Sequence, residues 1–268
     1  MKLTIFAVFN LIQSIFSGAI CPLQQPSCEG YTYLCPKLTE ITNCNRDGID
    51  GYTTFRLSVV TNQNMNIQNL YALYGDIDEE PLHLPPAYQS SLNFGSNLGG
   101  VNPFITNTYP DTKYDSWLTI GLSDGDNNNY LSSIGIDFED WSEEKSMDVT
   151  NGAVFLMDPE EKIVDDDEYL LAQITVREKS NPTVFLNVQG KTSTTYGVTS
   201  ERSWTERNIR YDLISPQIDE TRIPNGCIIW YDGCNTCIVN RGNTGVCTEM
   251  ECSSYDTHSC LRYGQNGH

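Results

Sequence analysis

The chain predicts an all-β protein, an antiparallel β-sandwich followed by a small disulfide-rich C-terminal module, on three observations. Short runs rich in Val, Ile, Thr and aromatic residues alternate apolar and polar positions, as half-buried strands do. Clusters of Gly, Asn, Asp and Pro punctuate those runs. The ten cysteines sit only at the two ends, with none between Cys44 and Cys227.

The strands predicted by this pattern are 53–60 (TTFRLSVV), 70–74, 117–122 (WLTIGL), 153–157, 169–176 (YLLAQITV) and 183–189 (TVFLNVQ). Turn residues separate them at Gly75-Asp76, Gly99-Gly100, Asn102-Pro103, 124–129 and Asn181-Pro182. The last two runs are separated by a short break holding Asn-Pro, which predicts a hairpin between them. No apolar repeat at helical spacing extends beyond about two turns. Many short strands at this spacing favour an antiparallel sandwich over a parallel α/β sheet. Their order resembles that of cohesin-like and other jelly-roll sandwiches, which implies a jelly-roll-like arrangement.

The ends set the compartment and the domain plan. Met1-Lys2, the apolar run 3–15 and the small residues Ser17-Gly18-Ala19 form the three parts of a secretory signal peptide, too short for a membrane span. Secretion and an even cysteine count predict disulfides formed in an oxidising compartment. The plan is then a signal peptide at 1–19, a Cys-containing segment at 20–48, the sandwich at 49–205, a linker at 206–226, a Cys-rich module at 227–262 and a polar tail at 263–268. The protein is expected to be secreted or held at the cell surface, with no membrane span. Asp and Glu total 35 against 16 Lys and Arg, a formal charge of −19. That balance excludes nucleic acid as a partner, because phosphate binding needs clustered cations.

Catalysis finds little support in the residue types. Histidine is scarce, at His83, His258 and His268, and no GxSxG or similar nucleophile setting occurs. A hydrolase built on two carboxylates is the one enzyme class left open. We therefore expect a non-enzyme with no certain cofactor. The acids cluster in loops at 124–129, 137–144, 158–161 and 165–168. Hard oxygens in a turn suit Ca²⁺, and Asp124, Asp126 and Asn128 are the candidate ligands, although the EF-hand pattern fails because Asn129 and Gly135 stand where Gly and Glu are required. Solvated turns are the competing reading. Stacking of Trp117, Trp141 or Trp204 on a sugar is a further option, with Trp117 expected in the core and Trp141, flanked by acids, expected to be exposed.

Four cysteines near the start (Cys21, Cys28, Cys35, Cys44) allow three pairings, and the six at the end (Cys227, Cys234, Cys237, Cys247, Cys252, Cys260) allow fifteen. The spacing Cys234-Asn-Thr-Cys237 also occurs in zinc sites, but no paired His or second CxxC follows. The elements Cys-Asn-x-Cys, then Gly242, then Cys247-Thr-x-x-x-Cys252 resemble the pacifastin family of small serine-protease inhibitors over some 26 residues. That resemblance implies a small β module with bridges Cys234–Cys252 and Cys237–Cys247, leaving Cys227 for Cys260. It places the inhibitor's reactive bond at Glu249-Met250, where an acidic residue suits neither a trypsin-like nor a chymotrypsin-like pocket. Two departures are Val239 in place of a family cysteine and a short gap between Cys227 and Cys234. The segments 114–121, 170–176 and 230–237 also resemble parts of secreted and cell-surface modules of algae and protists, a grouping that implies no activity. The function expected from all this is an extracellular structural or adhesion component of a coat, matrix or filament, with Ca²⁺-assisted self-association or with protein and glycan partners. A carbohydrate-binding module or a protease inhibitor is the alternative.

Overall fold

The computed structural model describes residues 26–42, 48–49, 51–78, 81–90, 93–159, 167–193, 202–214, 223, 227–240, 242–251 and 258–263. The expected signal peptide, Cys21, Cys44 and Cys252 lie outside them. The chain is all-β and divides into two units, a body within 21–217 and a module from 218 onward.

The body's strands are β1 (Leu34–Glu40), β2 (Tyr52–Thr61), β3 (Ile67–Gly75), β4 (Leu82–Leu84), β5 (Trp117–Leu118), β6 (Leu131–Ile134), β7 (Met147–Val149), β8 (Gly152–Leu156), β9 (Glu168–Arg177), β10 (Thr183–Thr192) and β11 (Arg202–Asp212). They form two sheets. One has the order β1-β2-β9-β5; the other runs β6-β8-β3-β10-β4-β7, with β11 also paired to β10. All the strand pairs are antiparallel. A six-residue helix, α1 (Pro103–Thr108), interrupts the long connection between β4 and β5. Among the described residues no helix is long and apolar enough to cross a membrane.

The alternation read from the sequence explains how the sheets meet. In β2, Phe55, Leu57 and Val59 are fully buried in the core, while Thr54, Arg56 and Ser58 face the other side. Ile174 and Val176 from β9 join Val184, Leu186 and Val188 from β10 and Ile209 from β11 in one apolar cluster between the sheets. Fully burying side chains of this size stabilises by about 1.5–3 kcal/mol each relative to exposure. The fully buried Tyr211 hydroxyl donates to Ser58 O at 2.8 Å, linking β11 to β2 across the core. Gly190 is required for a packing reason: a Cβ there would stand 2.1 Å from Asn69 O and 2.3 Å from the Trp204 ring. Trp204 lies over that glycine from the neighbouring strand and stacks on Tyr33 with centroids 5.1 Å apart.

Five expectations need correction. The runs 169–176 and 183–189 do not form a hairpin: β9 belongs to one sheet and β10 to the other. The connection between them, in which Lys179 and Asn181 take left-handed backbone (φ 64° and 45°), carries the chain from one sheet to the other. The sandwich does not end at 205, because β11 runs through the expected linker to Asp212. Nor does it begin at 49, because β1 pairs with β2 along its length and Cys28 is bonded to Cys35 beside it. The run 117–122 contributes only the two residues of β5. Trp141 is buried, not exposed, with its indole N–H donated to Pro85 O at 2.8 Å. Trp117 and Trp204 are buried as well.

The module has four strands, β12 (Cys227–Tyr231), β13 (Thr236–Asn240), β14 (Asn243–Cys247) and β15 (Ser259–Tyr263), in the order β14-β13-β12-β15. Its buried cluster is small, consisting of Cys227, Trp230, Cys237 and Val239. Val239, the departure from the inhibitor family's cysteine pattern, therefore fills core space.

Candidate functional site

The module's chemistry is concentrated at the β12–β13 turn and the segment that follows β14. The sequence Asp232-Gly233-Cys234-Asn235 makes a tight turn, with Gly233 at φ 88°. Asp232 Oδ1 accepts from Asn235 N at 2.6 Å and from Cys234 N at 3.0 Å. The Asn235 N–H, and after it the Cys234 N–H, hold the Asp232 carboxyl below the ordinary aspartate value. An aspartate in a turn can satisfy such amides directly, and this one fixes where the next side chain points.

That side chain is Asn235. Its Oδ1 accepts from Met250 N at 2.7 Å and from Thr248 Oγ1 at 3.1 Å. Thr248 is held again by the β13 backbone: Thr236 N donates to Thr248 Oγ1 at 3.0 Å, and Thr248 N donates to Thr236 O at 2.9 Å. One amide oxygen thus grips the chain on both sides of Glu249, while Glu249 and Met250 are exposed. The Cys237–Cys247 disulfide anchors the segment one residue before Thr248. Cys227 is bonded to Cys260, joining β12 to β15. These are two of the three pairs implied by the family resemblance. Cys234 is also disulfide-bonded, and the expected partner Cys252 lies outside the described residues. The Cys-Asn-x-Cys motif held the signal for Asn235, but sequence reasoning assigned the asparagine no role.

Each of the three calcium candidates has a hydrogen-bond partner within the protein. Both carboxylate oxygens of Asp126 accept backbone amides, from Tyr130 N at 2.8 Å and Leu131 N at 2.7 Å. Asn128 Nδ2 donates to Tyr130 OH at 3.0 Å, and Asp124 accepts from Ser123 Oγ at 3.1 Å. Among the described residues no group of three or more His, Cys, Asp or Glu side chains could hold a metal ion. The acids nearby are similarly engaged: Asp140 with Lys145 at 2.5 Å, Asp148 with His83 at 2.7 Å, and Asp137 with Glu139 N at 3.1 Å.

The body holds a second polar site that the sequence pattern did not single out. The outer face of the β2–β9 pair, which alternation assigns to solvent, is covered by the β4–β5 connection through hydrogen bonds. Gln173 Nε2 donates to Lys113 O at 2.8 Å and Asp115 O at 2.9 Å, and Thr175 Oγ1 donates to Tyr114 O at 2.6 Å. Asp115 accepts from Ser90 N and Ser96 N at 2.7 and 2.6 Å. Burial pushes its carboxyl up from the ordinary value, and those amides oppose the rise. A cleft of about 280 Å³ opens at the edge of this layer beside Arg56. Comparison of the chain with family models, with curated proteins and with solved structures gave no match.

Proposed function

We propose that this is a secreted, non-enzymatic protein whose C-terminal module inhibits a serine protease through the Glu249-Met250 bond. The observation that supports the reading is the double grip of Asn235. A loop that inhibits must enter a protease cleft as a substrate does and still hold both ends once the bond is cut. Asn235 Oδ1 takes the N–H of Met250, the group that cleavage would release as an amine, and the Thr248 hydroxyl on the other side. The new ends would therefore stay in register for resealing. Fixing the loop before binding also lowers the ordering cost of association. The resemblance to pacifastin-type inhibitors points the same way, and the disulfides suit an oxidising compartment.

Glu249 at the exposed position selects a protease with a cationic pocket, one that cleaves after acidic residues. Titrating the oxidised protein against a Glu-preferring endopeptidase should give stoichiometric inhibition, with trypsin and chymotrypsin unaffected. Glu249→Arg should transfer inhibition to trypsin. Rapid cleavage at 249 by both target enzymes with no inhibition in either case would sink the reading.

A structural or adhesion role has one observation in its favour: Ile238, Val246 and Leu261, on β13, β14 and β15, are 60%, 76% and 56% exposed. On the body, the outer edge of β11 is occupied. Glu206 accepts from Thr32 N at 2.9 Å and Tyr33 N at 2.6 Å, and Arg210 N donates to Tyr31 OH at 3.0 Å. Sedimentation velocity in EDTA and in millimolar Ca²⁺ separates the two readings: a monomer in both supports inhibition, and large species support assembly.

A further inference from the structure

Arg56 is an unusual residue for its position. It sits mid-strand in β2 with Phe55 and Leu57 buried on either side, and direct register partners place Thr39, Arg56, Gln173 and Trp117 in one row across the sheet. Side chains of directly paired residues share a face, so the guanidinium, the amide and the indole stand side by side on the outer face. Gln173 is fixed by the two carbonyls that take its Nε2, which leaves Oε1 turned toward the arginine, where it accepts from Arg56 Nε at 3.2 Å. Amide and guanidinium are thereby held in place before any ligand arrives.

The terminal nitrogens of Arg56 are a different matter. The chain's net charge is −19, and Lys37, Lys145, Arg177, Arg207 and Arg210 all form ion pairs, yet Arg56 makes none within 4.0 Å among the described residues. Asp124, on the rim of the same cleft, acts on it only through space. Burial depresses the guanidinium's pKa from its ordinary value, a sign that it has lost water without gaining a contact anion. A half-buried cation costs stability unless something repays it, and a planar fork of N–H donors fits one carboxylate in two parallel bonds.

We infer that the cleft beside Arg56 binds a small sugar acid, a uronate whose carboxylate pairs with the Arg56 fork. The remaining walls decide the class. Thr106 and Ser123, whose hydroxyl protons go to Pro103 O and Asp124 Oδ1, present oxygen acceptors, and Asp124 adds a carboxylate acceptor for ring hydroxyls. The same Asp124 repels a dianion, which disfavours phosphate or sulfate as the occupant. Trp117, buried and in the same row, supplies an apolar wall. The cleft's size of about 280 Å³ falls at the small end of ligand sites, which run from roughly 300 to 1,000 Å³ for drug-sized molecules, and matches a single sugar residue. This site lies in the body and does not depend on the inhibitory loop.

The test is a calorimetric and ligand-observed NMR titration of the full oxidised chain with galacturonate and glucuronate, beside galactose and glucose. Saturable binding of a uronate but not of its neutral sugar is expected. Arg56→Gln should weaken it by about tenfold to a hundredfold, the range of a charge-assisted hydrogen-bond pair. Asp124→Asn, an exposed change that leaves the strand intact, should strengthen uronate binding by relieving repulsion, which keeps the test decisive if the Arg56 variant fails to fold. Absence of saturable uronate binding, equal binding of uronate and neutral sugar, or affinity unchanged in both variants would overturn the assignment.

Discussion

The body and the module solve the same problem by opposite means. In the body, apolar side chains from two sheets form one large cluster, and the only bridge among its described residues, Cys28–Cys35, closes a short loop at one end. In the module, two of the four residues of the buried cluster are themselves disulfide cysteines. A segment this short cannot bury enough apolar surface to offset its chain entropy, so cross-links replace the packing that holds the body. The body's stability is set by shape, and the module's by redox state.

Reduction breaks this comparison most sharply. Dithiothreitol should unfold the module and abolish inhibition, since each lost bridge removes about 2–4 kcal/mol, while the body keeps its far-UV β spectrum. Circular dichroism and protease titration on one sample would check it. Loss of the body's signal at the same reductant concentration would contradict the division. On the body's side, Gly190→Ala forces the added methyl into the Asn69 carbonyl and the Trp204 ring and should cost about 3 kcal/mol in chemical denaturation, with inhibition untouched.

In the module the corresponding change is Asn235→Ala, which deletes two hydrogen bonds at about 1 kcal/mol each. Inhibition should weaken by about 30-fold, with faster cleavage at Glu249-Met250 and an unchanged body transition. The smallest effect concerns pH. Burial raises the fully buried Tyr211 well above its ordinary value of 10.0. Above pH 10 the unfolded tyrosine loses its proton while the folded one keeps it. Stability from this group is therefore full below pH 10 and falls as pH rises beyond it. Tyr211→Phe should flatten that alkaline decline and cost about 1 kcal/mol at neutral pH through the lost bond to Ser58 O, as urea melts at both pH values would show.

The sequence revealed strands where apolar and polar residues alternated, as in β2, or where β-branched, aromatic and aliphatic residues ran together, as in β8 and β9. It hid β11, because Asn208 takes left-handed backbone (φ 56°) at a bulge, which moves the buried set from Trp204 to Ile209 and Tyr211. Trp141 looks exposed in the sequence because its acidic neighbours say nothing about Pro85, 56 residues away, which receives its N–H. Spacing left fifteen pairings open for the six C-terminal cysteines; the bridges Cys237–Cys247 and Cys227–Cys260 were implied only by the family resemblance, whereas the hydrogen bonds of Asn235 required the turn to be built first. Arg56 looks like one more solvent-facing residue of an amphipathic strand; only the return of the β4–β5 connection over that face gives it a cleft.

The cover that Tyr31–Tyr33 places over β11 has a consequence in time. Thr32 and Tyr33 reach Glu206 across 174 and 173 residues, and Arg210 reaches Tyr31 across 179. The Tyr31–Tyr33 segment therefore lacks these partners until the final strand has been synthesised and delivered. Until then β10 lacks its outer neighbour and the core lacks Ile209 and Tyr211. Contacts this remote in sequence make folding slow, and the waiting intermediate exposes a strand edge that invites aggregation. A nascent chain halted before residue 212 would hold an open sandwich, so any fusion or reporter belongs after β11, never within it.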